Sequence, residues 1–438
     1  MPFASCFRFS FDICKFLVYL ELLGITGMSE KMKYVILVGD GMADYPVESL
    51  GGRTPLMAAR TPHMDWMANQ GEIGLVRTVP EGFTPGSEIA NLSIFGYDPH
   101  RYYTGRGPLE AASLHVDLAA TDLAFRCNLV TLKLKGNRTV MEDFSADHIT
   151  NEEAKQVIVD LNKEMGTKEV QFYAGVSYRH LMVLRNGAAK FSGLDKLELT
   201  PPHDILGREI SPFLPQTEEP ILRLTKESQR VLKGHPVNRA RESRGLLPAN
   251  SIWLWGQGHS PQMITLKERF GMEGYVISAV HLIKGIGALA GLEVLEVPGI
   301  TGYFDTNYDG KAQYALKGLR ERDFVYVHVE APDEAGHMGN LRLKIDAIEA
   351  FDEKIVGAIL KGMKAFGRYK ILVLPDHPTP LSVRSHTADP VPYVLYCNEE
   401  AFSAHGGAFD EASASRSGIY TEKGFELIEK FFGPRASC

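Results

Sequence analysis

Three short apolar runs constrain this chain more than anything else in it. Lys33–Val38 (KYVILV), Phe324–Val329 (FVYVHV) and Tyr369–Leu374 (YKILVL) are each about one strand long and apolar nearly throughout. A strand with one wet face alternates polar and apolar residues, whereas a strand buried on both faces does not. Each run is followed at once by a turn rich in Asp, Glu or His: Gly39-Asp40-Gly41, Glu330-Ala331-Pro332-Asp333 and Pro375-Asp376-His377. Helical stretches such as Leu341–Leu360 lie between the runs. Strands alternating with helices predict an α/β domain, a mostly parallel sheet flanked by helices.

The 438 residues exceed what one compact core accommodates. From about 120 to 250 the pattern changes to short strand-like runs (Phe125–Leu134, His180–Val183), with prolines at 201, 202, 212, 215 and 220. This segment reads as a smaller α+β domain inserted into the first. The sheet resumes at Tyr275–Ser278 and Val294–Val297. Gly406–Ser417, rich in Gly, Ala and Ser, reads as a surface loop before a final helix over Thr421–Phe432. The expected boundaries are 32–118 and 251–438 for the larger domain and 119–250 for the insert.

Residues 1–31 are expected to be an extension outside the fold. Their apolar run is interrupted by Asp12, Lys15 and Glu21, so it makes neither a membrane span nor a convincing signal peptide. A net charge of −7 argues against nucleic acid or an anionic membrane as partner. The five scattered cysteines form no CxxC pair, which fits a reducing, cytoplasmic setting better than a disulfide framework.

In open α/β sheets, ligands bind beyond the carboxyl ends of the strands. Asp40, Asp333, Asp376 and His377 can therefore converge despite their separation. Asp333 and His337 stand at i and i+4, so one helical turn would set both on one face. An exposed acid and a turn histidine would read the same way. Asp376 could equally be a helix cap, and His386, nine residues beyond His377, a solvated loop histidine. Taken together these residues fill two sites of mixed carboxylate and imidazole donors, which suits Zn²⁺ or Mn²⁺ better than Ca²⁺. Two cations about 4 Å apart can clamp a phosphoryl group between attacking and leaving oxygens. Ser87, after Pro85-Gly86 and before a plausible helix, is the candidate nucleophile, because a helix N-terminus favours an anion. A plain N-cap serine is the competing explanation.

These residues lie in segments that resemble the archaeal-type branch of the cofactor-independent phosphoglycerate mutases, within the alkaline phosphatase superfamily. The matching segments include VILVGDGMADYP (35–46), GGRTPLMAARTPHMDWMANQGEIG (51–74), PGSEIANLSIFGYDP (85–99), YTGRGPLEAAS (103–113), GHPVNRAR (234–241), AVHLIKGIG (279–287), VHVEAPDEAGHMGN (327–340) and LPDHPTP (374–380). The resemblance implies an alkaline-phosphatase-like catalytic domain and a substrate-binding insert. It implies one divalent cation on Asp333, His337 and His386, and another on Asp40, Ser87, Asp376 and His377. Mn²⁺ is the expected ion, with Zn²⁺, Co²⁺ and Mg²⁺ as alternatives. Ser87 would carry phosphate as phosphoserine between 3-phosphoglycerate and 2-phosphoglycerate. Lys284 would hold substrate phosphate. Arg126, Asn238 and Arg241 would hold the glycerate part, and Asp143 or His148 would move its protons. The alternatives are a homoserine kinase-like phosphotransferase and a metal-dependent phosphatase, both built on the same catalytic residues. Oligomeric state is not legible.

Overall fold

The computed structural model describes residues 31–215, 220–400 and 407–433. The expected extension, apart from residue 31, lies outside the described residues, as do Cys6, Cys14 and Cys438. The strands in chain order are β1 (Lys33–Gly39), β2 (Glu72–Val76), β3 (Leu123–Lys135), β4 (Arg138–Asp143), β5 (Val170–Val176), β6 (Arg179–Leu184) and β7 (Ser251–Gly258). They continue with β8 (Gly274–Ile277), β9 (Glu293–Val294), β10 (Phe324–Val329), β11 (Tyr369–Leu374), β12 (Val391–Cys397) and β13 (Tyr420–Thr421).

Eight of them form one sheet in the order β13-β2-β12-β11-β1-β10-β8-β9. Its centre is parallel: β1 pairs with both β10 and β11, and β10 pairs with β8. Only β12 runs against its neighbours β11 and β2. The three apolar runs are the three central strands, and every residue of β1 and β10 is buried. Their side chains alternate between two cores. Val35, Leu37, Val325, Val327, Ile371 and Val373 enter one core, while Tyr34, Ile36, Val38, Tyr326, Leu372 and Leu374 enter the other. Burying such a side chain completely contributes about 1.5–3 kcal/mol, so the absence of alternation is explained by helices on both faces.

The remaining five strands form a separate antiparallel sheet, β4-β3-β6-β5, with β7 also on β3. The helix Asn151–Met165 covers it, started by a capping box between Thr150 and Glu153. This second sheet runs on to Gly258, past the expected boundary at 250, because β7 pairs along β3 from Ser251.

Three local expectations differ from the structure. The helix expected over Leu341–Leu360 is continuous in space, but Asp352–Gly357 is a π-helical turn within it. Within the expected loop 406–417, Glu411–Arg416 is a helix, capped by Asp410 accepting from the Ser413 amide at 2.6 Å. The final helix is shorter than expected, Leu427–Phe432, after a 3-10 turn at Gly424–Glu426.

Candidate active site

All three central strands deliver their polar turns to one end of the large sheet. Asp40 follows β1, and Gly41 behind it takes a left-handed φ of 60°. A side chain there would sit 2.5 Å from Asp333 Oδ1 and Thr379 Oγ1, so glycine is required for steric reasons as well as conformational ones. The Gly41 amide donates to Asp376 Oδ1 at 3.1 Å, joining the ends of β1 and β11. After β10 the helix Ala331–Met338 begins, and its i, i+4 pair Asp333 and His337 meets at 3.1 Å. His386 reaches in from its loop, with Nε2 3.0 Å from His337 Nε2 and 3.5 Å from Asp333 Oδ1. Thr379 donates to Asp333 Oδ1, and its oxygen lies 3.3 Å from His377 Nδ1.

Ser87 is the first residue of the helix Ser87–Ile94, but the N-cap is Gly86, and no side chain caps that end. Ser87 is therefore not an N-cap serine. Its Oγ lies 3.2 Å from His377 Nε2. One turn on, Asn91 donates to Ser87 O at 2.9 Å and to Asp376 Oδ2 at 2.8 Å. Every residue named from the sequence as a candidate ligand lies in this one constellation.

The donor set fits cations. The ligand atoms of Asp333, His337 and His386 lie within 4.8 Å of one another, as do those of Asp40, Asp333 and His377, and those of Asp40, His328 and Asp376. Asp40 Oδ1 is buried and has no hydrogen-bond partner. Burial, then the Asp376 and Asp333 charges, push the Asp40 carboxyl well above its ordinary range. Burial would also raise Asp333, but hydrogen bonds from His337 and His386 outweigh it and hold Asp333 well below the ordinary value. The same hydrogen bond to Asp333 lifts His337 to about 9. Burial lowers His377, and it lowers His328 to about 4. Carboxylates packed this closely are stable as anions only beside positive charge, and neutral imidazoles beside them are available as ligands.

A cleft of about 250 Å³ opens between the two sheets. Arg106, Arg126 and Arg179 line it together with His281, Tyr303 and Glu330. Arg126 lies over the Trp255 ring at 4.9 Å and pairs with Glu110 at 2.9 Å. Burial pulls its pKa down to about 10, which leaves it charged at neutral pH. The other residues named for substrate are placed differently. Asn238 is buried and bonds Leu232 O, Ala249 O and Ala249 N of its own domain. Arg241 is buried against Leu247 O, Ala146 O and Glu153. Lys284 is held by both oxygens of Glu296 at 2.8 Å, on a helix whose first turn lines the cleft.

Asp143 Oδ1 accepts from Ser145 N, Ser145 Oγ and Asp147 N, tying up the turn that carries His148. Ala146, Asp147 and His148 all take positive φ, a strained run that Arg241 clamps through Ala146 O. A series of ring contacts then leads from His148 through Tyr178, Phe144 and His203 to Trp255 beside Arg126. Sequence reasoning missed His328, which hides inside an apolar run, and Asn91 and Thr379, whose spacing to Ser87 and His377 was the available signal. It also missed Arg106 and Arg179, which only the docking of the two sheets singles out.

A family model described as 2,3-bisphosphoglycerate-independent phosphoglycerate mutase matches residues 68–238. The chain is 52% identical over 400 residues to the 2,3-bisphosphoglycerate-independent phosphoglycerate mutase of Methanosarcina acetivorans, covering 91% of this chain and 98% of that protein. It is 48% identical over 408 residues to the one designated 2 in Methanothermobacter thermautotrophicus, covering 92% and 98%. Among solved structures, a cofactor-independent phosphoglycerate mutase from Thermoplasma acidophilum superposes with a TM-score of 0.60 at 27% identity, covering 92% of this chain and all (100%) of that one. Identity of this extent over nearly the whole length leaves one assignment, and the chain belongs to the 2,3-bisphosphoglycerate-independent phosphoglycerate mutases.

Proposed function

We propose that the chain interconverts 3-phosphoglycerate and 2-phosphoglycerate by way of phosphoserine at Ser87. The observation that carries this reading is the position of Ser87 Oγ, 3.2 Å from His377 Nε2 at an uncapped helix start, where backbone amides face an incoming anion. In the first half, Ser87 Oγ bonds to phosphorus as the bond to the glycerate 3-oxygen breaks. The serine proton leaves, and the released 3-oxygen takes one up. In the second half, the glycerate 2-oxygen attacks the phosphoserine and the proton movements reverse, so the reaction needs no outside phosphate donor.

Two divalent cations, one on Asp333, His337 and His386 and one on Asp40, Ser87, Asp376 and His377, would offset phosphoryl charge and favour ionised Ser87. Mn²⁺ is the ion we propose, because mixed carboxylate and imidazole donors suit it. Arg106, Arg126 and Arg179 would hold glycerate by its carboxylate during the exchange, since planar guanidinium groups match carboxylates. His148, on its clamped turn, is the group proposed to move protons on the glycerate hydroxyls. Lys284 would serve the substrate phosphate only by leaving Glu296.

The test is an enolase-coupled assay with 3-phosphoglycerate and Mn²⁺, without bisphosphoglycerate, run beside an ATP-dependent homoserine phosphorylation assay. Turnover in the first alone supports the mutase reading. Turnover in the second alone transfers the site to the kinase reading, and inorganic phosphate as the main product transfers it to a phosphatase.

A further inference from the structure

The two-cation assignment leaves unused a buried histidine that touches the reaction centre itself. His328 stands on β10 and is fully buried (0% exposed). Its Nε2 approaches Asp40 Oδ2 to 3.1 Å, yet it makes no hydrogen bond of good alignment there or elsewhere. His328, Asp40 and Asp376 form one of the clusters of ligand-type atoms. Two of those residues already belong to the active site, so the cluster adds His328 itself rather than a separate cation position. A buried ring nitrogen with no partner is costly, and the nearest group that can relieve it is the Asp40 carboxylate.

The opposite side of the ring is compatible with a proton on Nε2. His328 Nδ1 lies 3.3 Å from Ser278 Oγ, and Ser278 Oγ accepts from the Val280 amide at 2.9 Å. With Val280 donating to that oxygen, the serine's own proton can point at Nδ1, an arrangement that sets the imidazole proton on Nε2, the nitrogen that faces the Asp40 carboxylate. Lys311 anchors the backbone of the same residue, donating to His328 O at 2.7 Å. The two oxygens of Asp40 then face different histidines. Oδ1 lies 3.6 Å from His377 Nε2, and Oδ2 lies beside His328.

We propose that His328 is a positioning residue for Asp40, its Nε2 side set 3.1 Å from Oδ2 as an electrostatic contact rather than an aligned hydrogen bond, so that Oδ1 is presented to the cation shared with Asp376 and His377. The relay runs from the Val280 amide through Ser278 and His328 to Asp40. It joins the start of the helix His281–Leu289, which lines the cleft, to a ligand of the reaction centre. This inference rests on Asp40 being a cation ligand, and its test separates the two statements.

The experiment titrates the metal-depleted full chain with Mn²⁺ and follows the free ion by electron paramagnetic resonance. His328→Leu is expected to weaken one of two Mn²⁺ binding events about 10- to 100-fold and leave the other unchanged. His328→Gln, whose amide can donate from nearly the same place, is expected to restore most of the loss. Ser278→Ala, which frees the ring to turn or change tautomer, is expected to shift the same binding event in the same direction, and it decides the matter if the leucine variant does not fold. Unchanged binding in His328→Leu, or in Ser278→Ala when that variant decides, overturns the proposal. Equal losses in His328→Leu and His328→Gln also overturn it, since they mean a purely space-filling ring. Asp40→Asn is the control: if it weakens neither ion, the two-cation reading fails as well, whereas a loss there without one in His328→Leu sinks only the role of His328.

Discussion

Asp333 sits between two histidines and a threonine hydroxyl, and this explains both its depressed pKa and the raised pKa of His337. The sign of the consequence follows. A histidine raised from 6.5 to about 9 contributes stability that is complete below pH 6.5 and lost as the pH climbs through 9 in the metal-free chain. A cation on Asp333 and His337 needs the neutral imidazole, so its uptake releases a proton. Mn²⁺ affinity should therefore rise with pH up to about 9, with proton release measurable in a lightly buffered titration. A flat affinity between the two values would contradict the assignment. Asp333 and His337 were legible in the sequence from their i, i+4 spacing just after an apolar run, His386 through the family resemblance, and Thr379 was not legible. The proton assignments were not, since they depend on which side chain approaches which nitrogen.

The elements around the site are held by close contacts that substitutions can probe. Gly336 lies inside the helix Ala331–Met338, where alanine would ordinarily favour helix by about 1 kcal/mol. Here the added methyl would fall on the Thr379 carbonyl and side chain. Gly336→Ala is expected instead to destabilise the fold by about 1–3 kcal/mol in a denaturant titration, and to weaken Mn²⁺ binding. Lys344 is wholly buried and ties Asp44 to Thr379 O, both at 2.7 Å, bracing the turns after β1 and β11. Lys344→Met should cost about 3–5 kcal/mol, because it leaves the Asp44 charge buried without its partner, and adding Asp44→Asn should recover part of that.

The central strands were readable from their unbroken apolar runs. The π turn at Asp352–Gly357 was not, because tertiary contacts surround it. Asp352 accepts from the His63 and Met64 amides at 3.2 and 2.7 Å, and a side chain at Gly357 would strike the His63 ring. The helix Glu411–Arg416 was masked by its Ala and Ser content and by the glycines before it, although Asp410 was a visible capping signal.

At the scale of the molecule, turns and helix starts of the larger domain meet the second sheet across a cleft, and the reaction proposed for it requires glycerate to turn there without escaping. Arg126→Ala should remove a charged hydrogen bond to the substrate and lower kcat/KM for 3-phosphoglycerate by about 2 kcal/mol, roughly thirtyfold, with Mn²⁺ binding unchanged. Arg241→Ala should act differently, through the clamped turn at Ala146–His148, lowering stability as well as turnover. The division into a parallel-sheet domain and an insert was legible from the change in strand pattern near residue 120. The wall of the cleft was not, because it depends on how the second sheet docks. Arg106 and Arg179 came to line the cleft in this way, while Asn238 and Arg241 turned inward to their own domain.

No helix among the described residues is long and apolar enough to cross a membrane. The central claim, that Ser87 carries the phosphate, is tested most directly by mixing the Mn²⁺-loaded chain with 3-phosphoglycerate, quenching in acid and mapping phosphorylated peptides, with 2-phosphoglycerate measured in parallel. The account predicts phosphate on the peptide containing Ser87 and formation of 2-phosphoglycerate, and loss of both in a Ser87→Ala variant that still folds and binds Mn²⁺. Formation of 2-phosphoglycerate by Ser87→Ala at the wild-type rate would contradict it.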